Sequence, residues 1–276
     1  MNKIGMMQGR ITTPNDDRIQ FFPVGLWKTE LDKAAKIGFD CIEWLYDLHD
    51  AEKNPISTDR GIEEVKSVLS TSNIQIRSLC AHCFIEKPLV GANDEMLREL
   101  LTLTEWLFLR AKKLDISRII LPMEDSTDLN TKAEFERQIN WMNEALKIAE
   151  KTGIEIAIET TLPPSDLANF LNQIPHPLMK VNYDIGNSTG MGYKIEDEFN
   201  AYGDRIGSIH IKDKLLNGPT VAIGNGDSDF SALNPLLLKF DFKGDIVLES
   251  ARGDSGDEFA WAKRNLNFVL NHLGRN

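Results

Sequence analysis

Eight short apolar runs, each followed by a longer amphipathic stretch, restrict this chain more than any other feature. The runs are Lys3–Met7, Cys41–Trp44, Ile76–Ala81, Arg118–Leu121, Glu155–Ile158, Met179–Tyr183, Ile206–Ile211 and Asp245–Leu248. They are nearly continuously apolar, which predicts strands covered on both faces, as in a parallel sheet. Helical periodicity runs through Leu26–Ile37, Ile62–Ser70, Asp94–Leu114, Thr131–Lys151, Ser165–Leu171, Ile195–Tyr202, Phe230–Lys239 and Glu258–Leu273. In Thr131–Lys151, for instance, Phe135, Ile139, Met142, Leu146 and Ala149 recur every three or four residues, the spacing of one helix face. Gly38 and Gly153 follow two of these stretches, where a left-handed C-cap is expected. Eight βα units in strict alternation, without a Gly-rich dinucleotide fingerprint, predict a single (β/α)8 TIM barrel rather than a doubly wound sheet. The 276 residues suit one such barrel, and no linker or composition shift divides them, so 1–276 is expected to form one domain.

In a barrel of this kind, active sites sit where strands end and βα loops begin. The last four strands end in potential metal ligands: Glu159 in IAIET, Asp184 in KVNYDIGN, His210 in GSIHIKD and Glu249 in DIVLES. They lie about one βα unit apart, so neighbouring staves would bring them together. One acid at a strand end is commonly a helix cap, and one His in an apolar strand is commonly a packed residue. Four on consecutive strands are a different matter, because buried charges are costly without a cation. Three carboxylates and an imidazole make a mainly hard donor set. One divalent ion is therefore the expected cofactor, Mn²⁺ foremost, with Mg²⁺, Co²⁺ and Zn²⁺ as alternatives.

These segments, with GNGDSDF before Glu249, the opening MMQGR and GFDCIEW at Glu43, resemble the xylose isomerase-like barrel superfamily in order and spacing over most of the chain. That group includes sugar and sugar-phosphate isomerases and epimerases, inosose-processing enzymes and endonuclease IV. The resemblance implies that Glu159, Asp184, His210 and Glu249 hold the metal. It also implies that Glu159 and Glu249 form an acid–base pair on opposite faces of a bound sugar. Physical chemistry agrees: removing a proton next to a carbonyl gives an enediolate that a metal can stabilise, while one carboxylate takes the proton and another returns it. The expected enzyme is a metal-dependent isomerase or epimerase of a small sugar or sugar phosphate. The alternatives are a lyase dehydrating a polyol or keto-sugar, with His82 or Lys212 as acid, and a non-catalytic sugar-binding barrel.

Further candidates for substrate binding lie at the other strand ends. They are Arg10 after the first strand, Glu43 beside an aromatic wall at Trp44, His82 after the third, Asn187, Lys212 and Arg252. Glu124 after the fourth strand is a weaker candidate, and the Gly-rich GNGDSD segment is either a phosphate cradle or a flexible turn. In one departure from many family members, Asn187 stands where Asp-x-x-His would place a histidine, and Asn is a poor metal ligand.

The net charge of −11 argues against a nucleic-acid partner, which requires concentrated cations, and the five histidines are too few for a trinuclear DNA-repair centre. Cys41, Cys80 and Cys83 form no disulfide framework, and Cys80-x-x-Cys83 lacks the context of a redox motif. No secretory leader or membrane-length apolar run is present, so the chain is read as cytoplasmic, with no membrane partner. Its expected partner is a small sugar, and a homo-oligomer is allowed.

Overall fold

The computed structural model describes residues 2–13, 18, 20–123, 131–253 and 256–274. Eight parallel strands close on themselves: β1 (Ile4–Met7), β2 (Cys41–Leu45), β3 (Gln75–Cys80), β4 (Arg118–Pro122), β5 (Glu155–Glu159), β6 (Met179–Asp184), β7 (Ile206–Ile211) and β10 (Asp245–Leu248). The order around the barrel is β1-β10-β7-β6-β5-β4-β3-β2, which confirms a (β/α)8 barrel. A two-stranded antiparallel ribbon, β8 (Asp213–Lys214) with β9 (Thr220–Val221), extends the loop after β7. Among the described residues, no helix is long and apolar enough to cross a membrane.

The outer helices are α1 (Trp27–Ile37), α2 (Asp59–Leu69), α4 (Asp94–Lys112), α5 (Lys132–Thr152), α6 (Pro164–Asn172), α8 (Ile195–Tyr202), α9 (Phe230–Lys239) and α10 (Glu258–His272). Their starts are written in the sequence. Asn93 accepts from the Met96 amide, Thr131 from that of Glu134 and Thr58 from that of Gly61, each satisfying an orphan donor of the first turn. Gly38 and Gly153 take left-handed conformations at φ 108° and 75°, as the sequence predicts.

Strand periodicity sorts the side chains into two cores. Alternate residues such as Ile4, Met6, Ile42, Trp44, Leu79 and Ile119 join one large cluster with the helices. Their neighbours Met7, Leu45, Cys80, Ile120, Ala157 and Val247 form a separate small cluster inside the lumen. Each fully buried side chain of Leu or Ile size contributes about 1.5–3 kcal/mol. Below the lumen, Arg118 pairs with Glu155 and Asp245, and Arg77 with Asp245. Above it, the same inward parity carries the chain to Glu159, Asp184, His210 and Glu249.

Two short helices were not expected. α3 (Cys83–Glu86) follows His82, and α7 (Ile185–Gly190) begins directly at the end of β6. In α7 the reason is local: Asp184 Oδ1 accepts the Asn187 amide at 2.8 Å and caps the helix as the strand ends.

Candidate metal centre

Parity explains why four side chains from four strands meet. Ala157 faces the lumen from β5, so Glu159 does too. Val247 does so from β10, and Glu249 follows two residues later. Register aligns Asp184 with His210 and His210 with Val247. Ligand atoms of Glu159, Asp184, His210 and Glu249 all lie within 4.8 Å of one another, and all four residues are buried.

His210 Nδ1 lies 3.0 Å from Glu249 Oε2 and 3.3 Å from Glu159 Oε2. Lys212 brings its ammonium to 2.8 Å from Asp184 Oδ2 and 3.1 Å from Glu249 Oε1. Arg10 Nη2 stands 3.4 Å from the same Glu249 oxygen. Glu159 is held by neutral donors, Asn182 Nδ2 at 2.8 Å and Asn187 Nδ2 at 3.2 Å. The Ser208 hydroxyl in turn donates to Asn182 Oδ1 at 2.6 Å, fixing which way that amide points.

Electrostatics follow from this geometry. Burial pushes the Glu249 carboxyl up, but Lys212, His210 and Arg10 together outweigh it and hold the group well below the usual carboxylate range. Burial likewise opposes His210 and Lys212 on Glu159, and the cations win. At Asp184 burial prevails over Lys212 and raises the carboxyl. Burial disfavours a charged His210, yet Glu43 and Glu159 drive its pKa well above the ordinary value. The carboxylates are thus balanced by the Lys212 ammonium and the Arg10 guanidinium at close quarters, with the His210 ring among them. The donor set fits a divalent cation: three carboxylates and an imidazole converge, with ligand atoms all within 4.8 Å of one another.

The other sequence candidates separate. Arg10 does reach the centre, though its Nη1 also donates to the Ser250 carbonyl. Lys212 and Asn187 contact the ligand carboxylates rather than facing an open cavity. His82 sits at the start of α3, its Nδ1 buried without a hydrogen-bond partner, and burial lowers its pKa so that the ring is neutral at pH 7. Glu124 lies outside the described residues.

Four expectations need correction. Trp44 forms no wall of the mouth. It packs outside the barrel, 5.3 Å from Phe22 and 5.8 Å from Trp27, because consecutive strand residues face opposite sides. Glu43 faces inward but lies beneath His210, its Oε1 2.8 Å from Nε2, too deep to touch a substrate. Arg252 is a staple: Nη1 and Nη2 donate to the carbonyls of Thr12 and Gly9, and its guanidinium lies 5.1 Å from the Phe21 ring. The GNGDSD segment is neither cradle nor loose turn, since the amides of Gly224, Gly226 and Ser228 all donate to the Asp213 carboxylate.

Sequence reasoning missed Ser78, Asn182, Ser208 and Glu30. The first three carried a signal: each is a polar residue two positions before a residue of the same strand that faces the lumen or its mouth.

Comparison with known proteins agrees with this architecture. A probable L-ribulose-5-phosphate 3-epimerase of Mycoplasma pneumoniae is 28% identical over 215 residues, 75% of this chain and 70% of that protein. The D-psicose 3-epimerase of Ruminiclostridium cellulolyticum is 21% identical over 237 residues, covering 81% and 78%. Among solved structures, the IolI protein with a bound zinc atom superposes with a TM-score of 0.77 at 19% identity, covering 98% of this chain and 99% of that one. The D-psicose 3-epimerase of Clostridium cellulolyticum H10, solved with D-tagatose, gives 0.75 at 18% identity over 98% and 99%. These structural likenesses show the fold. Residues 31–272, which carry seven of the eight strands and all four converging ligands, match the family model described as xylose isomerase-like TIM barrel, and the chain belongs to that family.

Proposed function

We propose that the protein is a divalent-metal-dependent epimerase or isomerase of a ketose or ketose phosphate, and a single barrel domain of cytoplasmic carbohydrate metabolism. The observation that carries this reading is the convergence of Glu159, Asp184, His210 and Glu249 within 4.8 Å at the mouth. The sugar 3-epimerases among its relatives supply the substrate class. The unpaired, buried cysteines support a reducing compartment.

Glu159, Asp184, His210 and Glu249 would hold the ion, and the oxygen-rich set favours Mn²⁺. Bound there, the ion would act as a Lewis acid toward the charge that develops on the sugar's oxygens. The chain's own residues do the rest. Of Glu159 and Glu249, the one that is ionised can take a proton from a carbon next to a carbonyl, and the other, carrying a proton exchanged with solvent, returns it on the opposite face. Asn182 and Asn187 fix the two Glu159 oxygens, and Lys212 and Arg10 fix Glu249, so the pair is oriented before substrate arrives. The neutral His82 ring, half-buried at the start of α3, is suited to bind a sugar hydroxyl.

Incubating the Mn²⁺-supplemented protein in D2O with ketoses and their phosphates tests this reading. Deuterium should enter at carbon 3 with formation of the epimer and no loss of water. Exchange into none of these sugars would overturn the reading, and a product lighter by one water would replace it with the lyase.

A further inference from the structure

His210 has two ring nitrogens in different surroundings. Nδ1 faces the ligand oxygens of Glu249 and Glu159, at 3.0 and 3.3 Å. Nε2 points the other way, 2.8 Å from Glu43 Oε1. Glu43 Oε2 accepts the Ser78 hydroxyl at 2.7 Å. Glu43 rises from β2 and Ser78 from β3, whereas His210 belongs to β7, and two strands separate β2 from β7 along the barrel wall. The contact therefore spans the lumen.

Glu43 and His210 are both fully buried, and Ser78 is 2% exposed. A carboxylate in that position is costly unless its oxygens are satisfied. Here each oxygen has a partner, and neither is directed at the mouth. The carboxylate can neither reach a substrate nor join the four converging ligands. What it can do is hold a proton on the far side of the imidazole, since a ring nitrogen that donates to a carboxylate fixes the tautomer and strengthens the other nitrogen as a ligand.

We propose that Glu43 is a positioning residue for the metal centre. It keeps the proton on His210 Nε2 and presents Nδ1 to the ion, while Ser78 locks the carboxylate in the orientation this requires. The inference rests on the proposed metal centre, but it concerns affinity for the ion and not turnover.

Titrating the metal-free protein with Zn²⁺ alone, and separately with Mn²⁺ alone, tests it. Glu43→Gln keeps the shape but removes the charge, and it should weaken both ions ~10–100-fold, with a smaller loss for Ser78→Ala. A merely structural Glu43 would change the melting temperature without changing affinity. In the zinc-loaded wild type with ¹⁵N-labelled histidine, the His210 signals should show a proton on Nε2 and none on Nδ1. That spectrum shows which ring nitrogen faces the ion even if the variants fail to fold. Wild-type affinity in a folded Glu43→Gln, or an Nδ1 that carries the proton in the zinc form, would overturn the role of Glu43. A wild type that binds neither ion would instead overturn the metal centre itself.

Discussion

Lys212 illustrates how tightly charge is balanced at single residues. Its ammonium bridges Asp184 and Glu249, two of the four carboxylate and imidazole groups that converge on one point. Removing one partner from a buried ion pair leaves the other charges uncompensated, at a cost of about 3–5 kcal/mol. Lys212→Met should therefore lower the melting temperature of the metal-free protein markedly. Added Mn²⁺ should restore more stability to the variant than it adds to the wild type, which differential scanning calorimetry would show. Glu159→Gln and Glu249→Gln should each reduce deuterium exchange into a ketose by roughly 10²–10⁴-fold, the range for loss of a general acid or base. At this scale much of the centre could be read from the sequence, because four ligating residue types recur at successive strand ends. Glu43 and Trp44 could not be placed that way. They were grouped as neighbours at the mouth, yet a strand's two-residue period puts one in the lumen and the other against α1.

At the scale of elements, a buried carboxylate helps Arg252 hold the loop after β1. Glu30 on α1 accepts the amides of Gly9 at 2.9 Å and Ile11 at 3.1 Å. Burial raises its pKa from 4.5 to about 7, against the pull of those amides and of Arg252 and Lys33. A raised pKa means that the folded state holds the proton more tightly than the unfolded chain. The stability from this group is fully present below pH 4.5 and is lost as pH rises through about 7, amounting to about 3 kcal/mol. Urea unfolding of Glu30→Gln across that window should show a flatter pH dependence than the wild type, and parallel curves would refute the assignment. The loop after β7 depends on a close approach instead. A Cβ on Gly226 would lie 2.2 Å from Asp213 Oδ1, so Gly226→Ala should destabilise the protein and disturb the nest of amides around Asp213. The long helices were readable from their apolar periodicity and caps. The short α7 was not, since six residues show no period and its start depends on a contact from Asp184 that only the fold reveals.

Across the whole molecule, closure leaves no barrel strand with an unpaired edge and brings β2 and β7 within reach of one another through the lumen. Eightfold alternation made that architecture plain from the sequence, but the cross-lumen contact depends on the register and shear of the closed barrel, which no local pattern encodes. An ion bound only by the folded state adds stability by mass action, about 2.7 kcal/mol at a hundredfold excess over its Kd. The central claim is that one ion sits among Glu159, Asp184, His210 and Glu249. Anomalous diffraction from a crystal equilibrated with Mn²⁺ tests it most directly. The account predicts one strong anomalous peak within bonding distance of all four side chains, whereas a peak elsewhere, or none at the barrel mouth, would contradict it.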